Sequence, residues 1–370
     1  MVYFKTLKLE NYRSYSQLDV RFDGRPVVLF GANGSGKTNL LEAISLFSPG
    51  RGLRRAKTEN LTRRAGEAPA PQWAVFADID GLDIEKIGTG SVPGSPSRRL
   101  VRIDEGPASA LDLARAFSVG WLTPAQDRLF GAPASERRKF LDRLCLAHQP
   151  DHGKTWLIYE KARSERGRLF TEGIDDPYWF DALEADMAKR GAQIAVARHQ
   201  CVQKLVDEID ARPDGPFPKS DLMLQGEAES LAAAGADEYE ISEFIKTELK
   251  KDRALDARAG RTLRGVHKTD LFVAHREKSM PAHDCSTGEQ KALLTGLVLA
   301  HARAQARRPF LLLDEVAAHL DAARRDSLVE EILDLGTQCF LTGTDRSLFD
   351  GFAGRAQIFH VHKGQLVEKH

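Results

Sequence analysis

One glycine-rich stretch of this sequence has the residue types and the spacing needed to hold a phosphate group. Residues 31–38 read Gly-Ala-Asn-Gly-Ser-Gly-Lys-Thr and match G-x-x-x-x-G-K-[ST], the phosphate-binding P-loop. In such a loop backbone N–H groups close around a phosphate, while the lysine reaches the β- and γ-phosphates and the threonine hydroxyl binds Mg²⁺. The pattern predicts a nucleoside triphosphate site formed by Gly31, Ala32, Asn33, Gly34, Ser35, Gly36, Lys37, Thr38 and Asn39.

The sequence on either side of this loop predicts the elements that would position it. Residues 26–30 form a short apolar run typical of a buried strand, and residues 39–47 carry apolar side chains at helical spacing. A helix that starts at the loop adds a partial positive charge at the phosphate. The alternative, a glycine-rich turn that binds nothing, is disfavoured because every motif position is filled and both flanks are correct.

A second motif places two acids at the end of an apolar strand. Residues 310–313 read Phe-Leu-Leu-Leu and are followed by Asp314 and Glu315. Beside a P-loop, Asp314 is expected to bind Mg²⁺ together with Thr38, and Glu315 is the candidate catalytic residue that orients or deprotonates a water. A strand ending in two acids is by itself usually structural, so the functional interpretation depends on the complete P-loop.

A third motif lies at the start of a predicted helix. Residues 286–291 read Ser-Thr-Gly-Glu-Gln-Lys and precede a helical segment predicted over residues 292–303. A serine at a helix start, followed by glycine, caps the helix and can also meet an anionic phosphate. The alternative is a plain N-cap in which Glu289 completes an S-x-x-E capping box with Ser286.

The composition sets limits on the class of protein. With 370 residues, 42% hydrophobic and 29% charged, the chain suits a soluble protein of about two compact lobes. Lys+Arg and Asp+Glu both total 53, so a claim of nucleic-acid binding must rest on local patches. No signal peptide and no apolar run of about 18 residues is found, so a cytoplasmic location without membrane contact is expected. The widely spaced cysteines indicate neither zinc nor a disulfide framework: Cys145, Cys201, Cys285 and Cys339.

Two local runs of basic residues are candidate contacts for a nucleic-acid backbone. Between residues 51 and 64 six basic residues stand against one acid, Glu59, and between residues 246 and 268 eight basic residues stand against three acids. Such runs are equally typical of a solvated loop and helix face, and the charge alone does not decide between the two. The candidate DNA-binding residues of the first run are Arg51, Arg54, Arg55, Lys57, Arg63 and Arg64.

The order of P-loop, Ser286 motif and acidic strand end resembles the ABC-type ATPase superfamily. Within it, the residues resemble the RecF family of bacterial recombination mediators over nearly the whole chain. The resemblance is carried by residues 7–15, the P-loop with residues 39–44, residues 131–142, residues 265–271 and the Ser286 motif. It implies an α/β fold, in which an ABC-type P-loop ATPase head with a mixed sheet and an antiparallel β section carries an inserted, mostly helical arm lobe. The predicted boundaries are residues 1–125 and 272–370 for the head and residues 126–271 for the arm.

The resemblance also implies a function and its site residues. RecF-like proteins are ATP-dependent DNA-binding proteins, and the expected cofactors are ATP and Mg²⁺. The resemblance implies a homodimer that sandwiches ATP and clamps double-stranded and gapped DNA. It also implies that this dimer works with RecR-like and RecO-like proteins to load RecA. Slow hydrolysis of ATP would then release the DNA. The signature of one subunit, Ser286, Thr287, Gly288, Glu289 and Gln290, would complete the site of the other. By position, Gln126 is a candidate Q-loop residue, and His319 and Asp321 are candidate D-loop residues.

Two alternatives come from other classes of ATPase. A transporter ATPase subunit is disfavoured by the 249 residues between Lys37 and Ser286 and by Thr342 and Thr344 on the strand where transporters usually carry a sensor histidine. A phage-defence ATPase of the overcoming-lysogenization type usually carries an added nuclease domain. No clustered acidic nuclease motif remains in this sequence to form one.

Overall fold

The fold is described by a computed structural model for residues 1–65 and 68–369. Its strands are β1 (Tyr3–Tyr12), β2 (Tyr15–Arg21), β3 (Val27–Phe30), β4 (Arg64–Ala65), β5 (Ala68–Pro69), β6 (Ala74–Asp80), β7 (Lys86–Val92), β8 (Ser95–Ile103), β9 (Gly106–Ala108), β10 (Val119–Leu122), β11 (Ser220–Gln225), β12 (Asp270–His275), β13 (Met280–Pro281), β14 (Phe310–Leu313), β15 (Cys339–Gly343), β16 (Gln357–His362) and β17 (Gln365–Glu368). Its helices are α1 (Lys37–Ser45), α2 (Ala110–Ala116), α3 (Ala134–His148), α4 (His152–Thr171), α5 (Pro177–Ala211), α6 (Glu227–Ala233), α7 (Glu238–Lys251), α8 (Arg253–Ala259), α9 (Thr287–Arg303) and α10 (Ala322–Leu335). Among these helices none is both long and apolar enough to cross a membrane.

The chain divides into two compact units. The first, which we call the head, comprises Met1–Asp127, Asp214–Pro218 and the C-terminal segment from Ser286 onward. The second, which we call the arm, comprises Arg128–Pro213 and Lys219–Cys285. The arm is therefore inserted into the head between β10 and α9.

A central sheet in the head places the ends of several strands at one edge. Its strand order is β10-β14-β15-β3-β16-β17, and all neighbours are parallel except β16 and β17. The strands β14 and β15 are buried along their whole length, which explains their continuous apolar sequence. Because carboxyl ends of parallel strands share an edge, residues that follow β3, β14 and β15 meet there.

An antiparallel sheet completes the head. Its strand order is β2-β1-β6-β7-β8-β9, and its inward-facing side chains alternate along the strands as expected for a sheet with one buried face. Phe4 of β1 stacks on Phe310 of β14 with ring centroids 4.0 Å apart, so the two sheets share one hydrophobic core. The Phe4 N–H also donates to Gln338 Oε1 at 2.8 Å.

The arm is mostly helical and has its own core. The 35-residue helix α5 packs against α4 and α7, and Gly191 permits the close approach, since a Cβ there would lie 3.0 Å from Ile245. Two buried arginines satisfy carboxylates inside the arm: Arg166 pairs with Glu184 and Asp256, and Arg198 pairs with Asp142 and Glu229. Such groups remain buried only when they are paired and hydrogen-bonded.

The observed units differ from the predicted boundaries at three places, of which the smallest is residues 126–127, predicted in the arm but part of the head. The prediction assigned residues 272–285 to the head, but β12 pairs with β11 and β13 in a small sheet of the arm. Residues 214–218, which fall within the predicted arm, group with the head. Long-range strand pairing decides the assignment of residues 272–285, and a single sequence carries little signal for it. Residues 214–218 form no strand, and there Arg324 Nε of the head donates to the carbonyl oxygen of Pro216 at 3.1 Å.

Candidate functional site

The P-loop connects β3 to α1 at the shared edge of the central sheet. Its glycines are required by geometry. Gly31 has a φ of 147°, and a Cβ there would lie 2.4 Å from the carbonyl oxygen of Val361. Gly36 has a φ of 116°, and a Cβ there would lie 2.9 Å from the hydroxyl oxygen of Ser14 and 3.0 Å from that of Tyr15. Any side chain at either position would strain the backbone and collide with its neighbours.

Lys37 is held inside the loop it belongs to. Its ammonium group donates to the carbonyl oxygens of Gly31 at 2.6 Å and Ala32 at 3.0 Å, and the residue is buried. Burial lowers the pKa of Lys37, and the nearby carboxylates of Glu315 and Asp314 oppose that shift. Ser35 Oγ is buried in the same loop without a hydrogen-bond partner among the described residues. The loop therefore offers a cation and an unused hydroxyl.

Asp314 is brought to the P-loop by the sheet. Thr38 Oγ1 donates to Asp314 Oδ1 at 2.9 Å, although 276 residues separate the two along the chain. Thr342, on the strand between β14 and β3, donates to the same oxygen at 2.7 Å and is completely buried. Both predicted magnesium ligands, Thr38 and Asp314, thus lie side by side in the site.

Glu315 follows Asp314 with a strained backbone. Its φ of 54° is left-handed, a conformation that costs a non-glycine residue on the order of 1–3 kcal/mol and clusters at functional sites. The strain is held by a hydrogen bond of 2.9 Å from the Glu315 N–H to Thr342 Oγ1. Thr342 therefore fixes the orientation of both acids, a role that its position in the sequence did not reveal.

The Ser286 motif forms the N-terminus of α9. Ser286 Oγ accepts from the Glu289 N–H at 3.4 Å, and Glu289 Oε2 accepts from the Ser286 N–H at 3.0 Å, which completes the S-x-x-E capping box. Ser286 and Thr287 are exposed. A Cβ at Gly288 would meet nothing within 4 Å, so the surrounding head does not require a glycine there. The capping interpretation is thus realised in the structure, and a second role for the exposed face stays a prediction.

The remaining candidate residues occupy capping positions. Gln126 Oε1 accepts from the Thr123 N–H at 3.1 Å in a turn that follows β10. Asp321 Oδ1 caps α10 by accepting from the Arg324 N–H at 2.8 Å. The side chain of His319 lies outside the described part of the chain. Their assignments to the Q-loop and the D-loop stay predictions.

The first basic run is attached to the P-loop helix. Arg13 forms a two-pronged ion pair with the buried carboxylate of Glu42 on α1, at 2.6 and 2.8 Å, and also donates to the carbonyl oxygen of Asn60. Arg54 donates to Asn39 Oδ1 at 2.7 Å and lies 3.8 Å from Glu42. The run therefore contacts the helix that begins at Lys37.

Exposure and pairing differ between the two basic runs. In the first, Arg51 and Lys57 are exposed and make no ion pair among the described residues. In the second, Arg253 pairs with Asp181 and Glu184, and Arg264 contacts Glu227, Glu248 and Asp252. Three acids from elsewhere in the arm thus offset part of the charge of the second run, which the local charge count could not show: Asp181, Glu184 and Glu227.

The Arg13–Glu42 pair was not predicted from the sequence. The available signal was Glu42 itself, since it stands among apolar residues of α1 that turn out to be buried. A carboxylate on a buried helix face implies a cationic partner.

Comparisons with known proteins assign the chain to a family. The family described as "RecF/RecN/SMC N terminal domain" matches residues 3–366. A protein named "DNA replication and repair protein RecF" from Brucella abortus (strain 2308) is 49% identical over 374 residues, covering 99% of this chain and 96% of that protein. This chain belongs to the RecF family. RecF relatives of the same name from Mesorhizobium japonicum and Caulobacter sp. (strain K31) are 48% and 47% identical, covering 97% and 95% of this chain and 96% and 94% of those proteins.

Solved structures agree with the RecF fold. The structure described as "the recombination mediator protein RecF-ATPrS in RecFOR pathway" has a TM-score of 0.83 at 23% identity and covers 100% of this chain and 98% of that chain. An SMC head domain from Pyrococcus furiosus has a TM-score of 0.58 at 16% identity, covering 100% of this chain and 96% of that chain. These likenesses confirm the predicted ABC-type ATPase fold of α/β class.

Proposed function

We propose that this RecF-family chain is an ATP-dependent DNA-binding protein of recombinational repair, with a slow ATPase activity that DNA stimulates. The observation that carries the nucleotide part is the convergence of Lys37, Thr38 and Asp314 at the carboxyl edge of the central sheet. Family membership and the names of the relatives support the part in DNA replication and repair.

The residues of the site suit Mg²⁺-ATP. The positive φ angles of Gly31 and Gly36 let the loop turn so that its backbone N–H groups can face a phosphate, and the unpartnered Ser35 hydroxyl adds a donor. In this proposal Lys37 and the loop amides hold the phosphates, while Thr38 and Asp314 hold Mg²⁺. A solved structure described as "the recombination mediator protein RecF-ATP in RecFOR pathway" supports ATP as the nucleotide.

The chemistry then divides between Glu315, which lies shortly after β14, and Thr342, which lies near the end of β15. Bound Mg²⁺-ATP supplies a phosphoanhydride bond whose cleavage can serve as a switch. Glu315 is the proposed catalytic residue, because a carboxylate beside the site can orient a water and accept its proton. Thr342 is a positioning residue, since its hydroxyl holds both the Asp314 carboxylate and the Glu315 backbone.

A second copy of the chain is proposed to complete each site. The exposed Ser286 and the open space beside Gly288 leave room for a phosphate held by the partner's P-loop. The N-terminus of the 17-residue helix α9 adds a partial positive charge at this point. The dimer would therefore form only when ATP is present.

DNA is proposed to contact the first basic run. Its residues Arg51, Arg54, Arg55, Lys57, Arg63 and Arg64 lie on a segment that contacts α1 through Arg54 and Asn39. Two such surfaces in a dimer would present a larger positive field to duplex and gapped DNA, although the chain has no net charge. The contact with α1 offers a path by which DNA could stimulate ATP hydrolysis.

The RecF relative described as part of a RecFOR pathway indicates the partners. We propose that this chain acts with RecR-like and RecO-like proteins at single-strand gaps, where they promote loading of RecA. Slow hydrolysis of ATP would then open the dimer and release the DNA.

Sedimentation of the purified chain tests this function. The experiment compares the natural chain with Glu315→Gln and Lys37→Ala, each with and without Mg²⁺-ATP and a gapped duplex. Glu315→Gln should bind ATP and stay dimeric on the DNA, because hydrolysis is blocked. Lys37→Ala should remain monomeric under every condition. A dimer that ignores DNA would refute the DNA clamp, and a Glu315→Gln monomer in saturating ATP would refute the sandwich.

A further inference from the structure

The exposed face of the antiparallel sheet in the head carries none of the sites described above. One row of residues crosses this face, because each residue is paired in register with the next: Asp19, Lys8, Phe76, Gly88, Arg102 and Pro107. All of them are exposed except Gly88. Residues that alternate with them along the strands, such as Leu9, Val75 and Val101, belong to the core. We call the exposed side of this sheet the outer face.

Phe76 places an aromatic ring near the middle of the outer face. Its side chain is 42% exposed and makes no ring contact among the described residues. A Cβ on Gly88 would lie 2.9 Å from Phe76 Cδ1, so the ring packs against the bare backbone of β7 and its remaining surface is open to solvent. The next row holds Ala74, Gly90 and Leu100, and of these only Leu100 has a large side chain. Small residues beside the ring therefore leave room for a planar group.

The strands β7 and β8 supply positive charge beside this ring. Residues 86–103, which span both strands, contain four basic residues and no acid. Arg98 and Arg102 are exposed and share one side of β8, so both belong to the outer face. Neither forms an ion pair among the described residues. Gly88 and Pro107 flank Arg102 within its row, so no carboxylate stands directly beside it.

The acids on the outer face are engaged or distant. Asp19 pairs with Lys8 at 3.2 Å, and Asp78 accepts from the Thr6 hydroxyl group at 2.6 Å. Glu10 lies on β1, three strands away from β8, which is about 14 Å at the usual spacing of strands. None of these acids therefore neutralises the two arginines of β8.

The two ends of the β7–β8 pair differ in charge. At one end, residues 80–85 and 104–105 contain five acids. At the other end, residues 93–97 read Pro-Gly-Ser-Pro-Ser and contain none, and Arg98 follows them directly. The surface that runs from Phe76 to this second turn therefore favours an anionic ligand.

We propose that the outer face binds single-stranded DNA, with one base stacked on Phe76 and nearby phosphates held by Arg98 and Arg102. Every base has a flat face that stacks on an exposed aromatic ring, and arginines attract the phosphates. Double-stranded DNA keeps its base faces inside the helix, so it cannot use the ring. An acidic peptide needs only the arginines. The inference rests on the proposed function, because a gap in DNA presents a single strand beside a duplex.

Fluorescence anisotropy of labelled DNA with the full chain tests this proposal. The two probes are an oligothymidylate, which forms no duplex, and a blunt-ended duplex. Phe76→Leu keeps an apolar cover over Gly88 but has no aromatic face, so its affinity for the oligothymidylate should fall roughly tenfold. Its affinity for the duplex should stay at the natural level. Unchanged affinity for the oligothymidylate, or an equal fall for both probes, would overturn the proposal.

Two further variants are matched controls for the ring. Phe76→Tyr keeps a stacking ring and should bind the oligothymidylate as the natural chain does. Tyr239→Leu removes a more exposed ring, at 73%, from α7 of the arm and should have no effect. Unfolding midpoints show that each variant is folded. Equal losses of affinity in Phe76→Leu and Phe76→Tyr would contradict a base stacked on residue 76.

Removal of charge from the outer face tests the phosphate contacts. Changing Arg98 and Arg102 to Gln should make the slope of log affinity for the oligothymidylate against log salt concentration shallower, by about 0.7 for each phosphate released. The control changes Lys161 and Lys189, exposed residues of the arm, to Gln and should keep the natural slope. Equal slopes in the two double variants would overturn the proposal.

Phe76→Trp reports on stacking directly. A stacked base quenches indole emission, so the oligothymidylate should quench the emission that this variant adds to that of the natural chain, and the duplex should not. Emission that the oligothymidylate leaves unchanged would overturn the proposal.

Two results with the natural chain separate this inference from its neighbours. Tighter binding of polyglutamate than of the oligothymidylate would overturn the proposal in favour of an acidic protein partner. A natural chain that binds the duplex but not the oligothymidylate would overturn this proposal and leave the proposed repair function standing. A chain that binds neither DNA would refute both.

Discussion

Thr342 Oγ1 lies 2.7 Å from Asp314 Oδ1, and the same hydroxyl oxygen accepts the N–H of Glu315 at 2.9 Å. One buried hydroxyl thus holds the carboxylate proposed to bind Mg²⁺ and the strained backbone of the proposed catalytic residue. The arrangement depends on β15 lying between β14 and β3, since only that strand order brings residue 342 beside both. The strand order of the sheet therefore determines, through Thr342, how the Asp314 carboxylate and the Glu315 backbone are held.

We expect Thr342→Val to separate ATP binding from hydrolysis. Valine keeps the shape of threonine but leaves the Glu315 N–H without its acceptor and Asp314 without one donor. Retention of ATP should change little because Lys37 is untouched, while the turnover rate should fall by roughly tenfold or more through misplacement of Glu315. The free energy of unfolding should fall by about 1–3 kcal/mol. Nucleotide titration, single-turnover hydrolysis and denaturant unfolding measure the three quantities.

Thr342→Ser is the matched control for this variant. Serine keeps the hydroxyl and loses only a methyl group, so hydrolysis should recover most of the natural rate. Equal losses of activity in the serine and valine variants would mean that packing, and not the hydroxyl, determines the position of Glu315.

Charge reversal of the first basic run should weaken DNA binding. In a variant with Arg54, Arg55 and Lys57 changed to Glu, the affinity for duplex DNA should fall. The slope of log affinity against log salt concentration should also become shallower, by about 0.9 for each DNA phosphate that the protein no longer neutralises. The matched control changes Lys161, Lys189 and Lys204, exposed residues of the arm outside both basic runs, to Glu, which alters the net charge by the same amount. Binding of a labelled duplex over a range of salt concentrations measures both variants. Equal weakening in both would refute a specific contact at residues 54–57.

Gly288→Ala should separate the stability of the head from dimer formation. The added Cβ would meet nothing within 4 Å inside the chain, and alanine is the better helix former by about 1 kcal/mol. The unfolding midpoint should therefore stay the same or rise, and ATP binding by the monomer should remain. If the partner's phosphate occupies the space beside Gly288, ATP-dependent dimerisation should weaken in sedimentation. Dimerisation at the natural level would remove this face from the composite site.

The parts of the site that the sequence predicts are those whose signal is local. The P-loop, the apolar strand before Asp314 and the helix start at Ser286 each lie within a few consecutive residues, and the structure places Lys37, Thr38 and Asp314 together. The assignment of residues 272–285 failed because it depends on β12 pairing with β11, a partner 45 or more residues away in the chain. The second basic run looked positive because local counting cannot see Glu184 and Glu227.

The pairing of Asp142 with buried Arg198 predicts how stability of the arm depends on pH. Burial raises the pKa of this carboxyl, but Arg198 and His152 lower it more, and the result is about 2. A carboxyl whose folded-state pKa lies below its ordinary value of 3.8 stabilises the fold at pH values above 3.8. This contribution is lost as the pH falls toward the folded-state pKa. Asp142→Asn should therefore be less stable than the natural chain by about 2 kcal/mol at neutral pH, and the difference should shrink between about pH 4 and pH 2. Denaturant unfolding of both chains across this pH range measures the difference in their free energies of unfolding. The other acids are present in both chains, so the difference reports on Asp142. A difference that stays constant with pH would mean that the lost stability comes from packing around Arg198 and not from ionisation of Asp142.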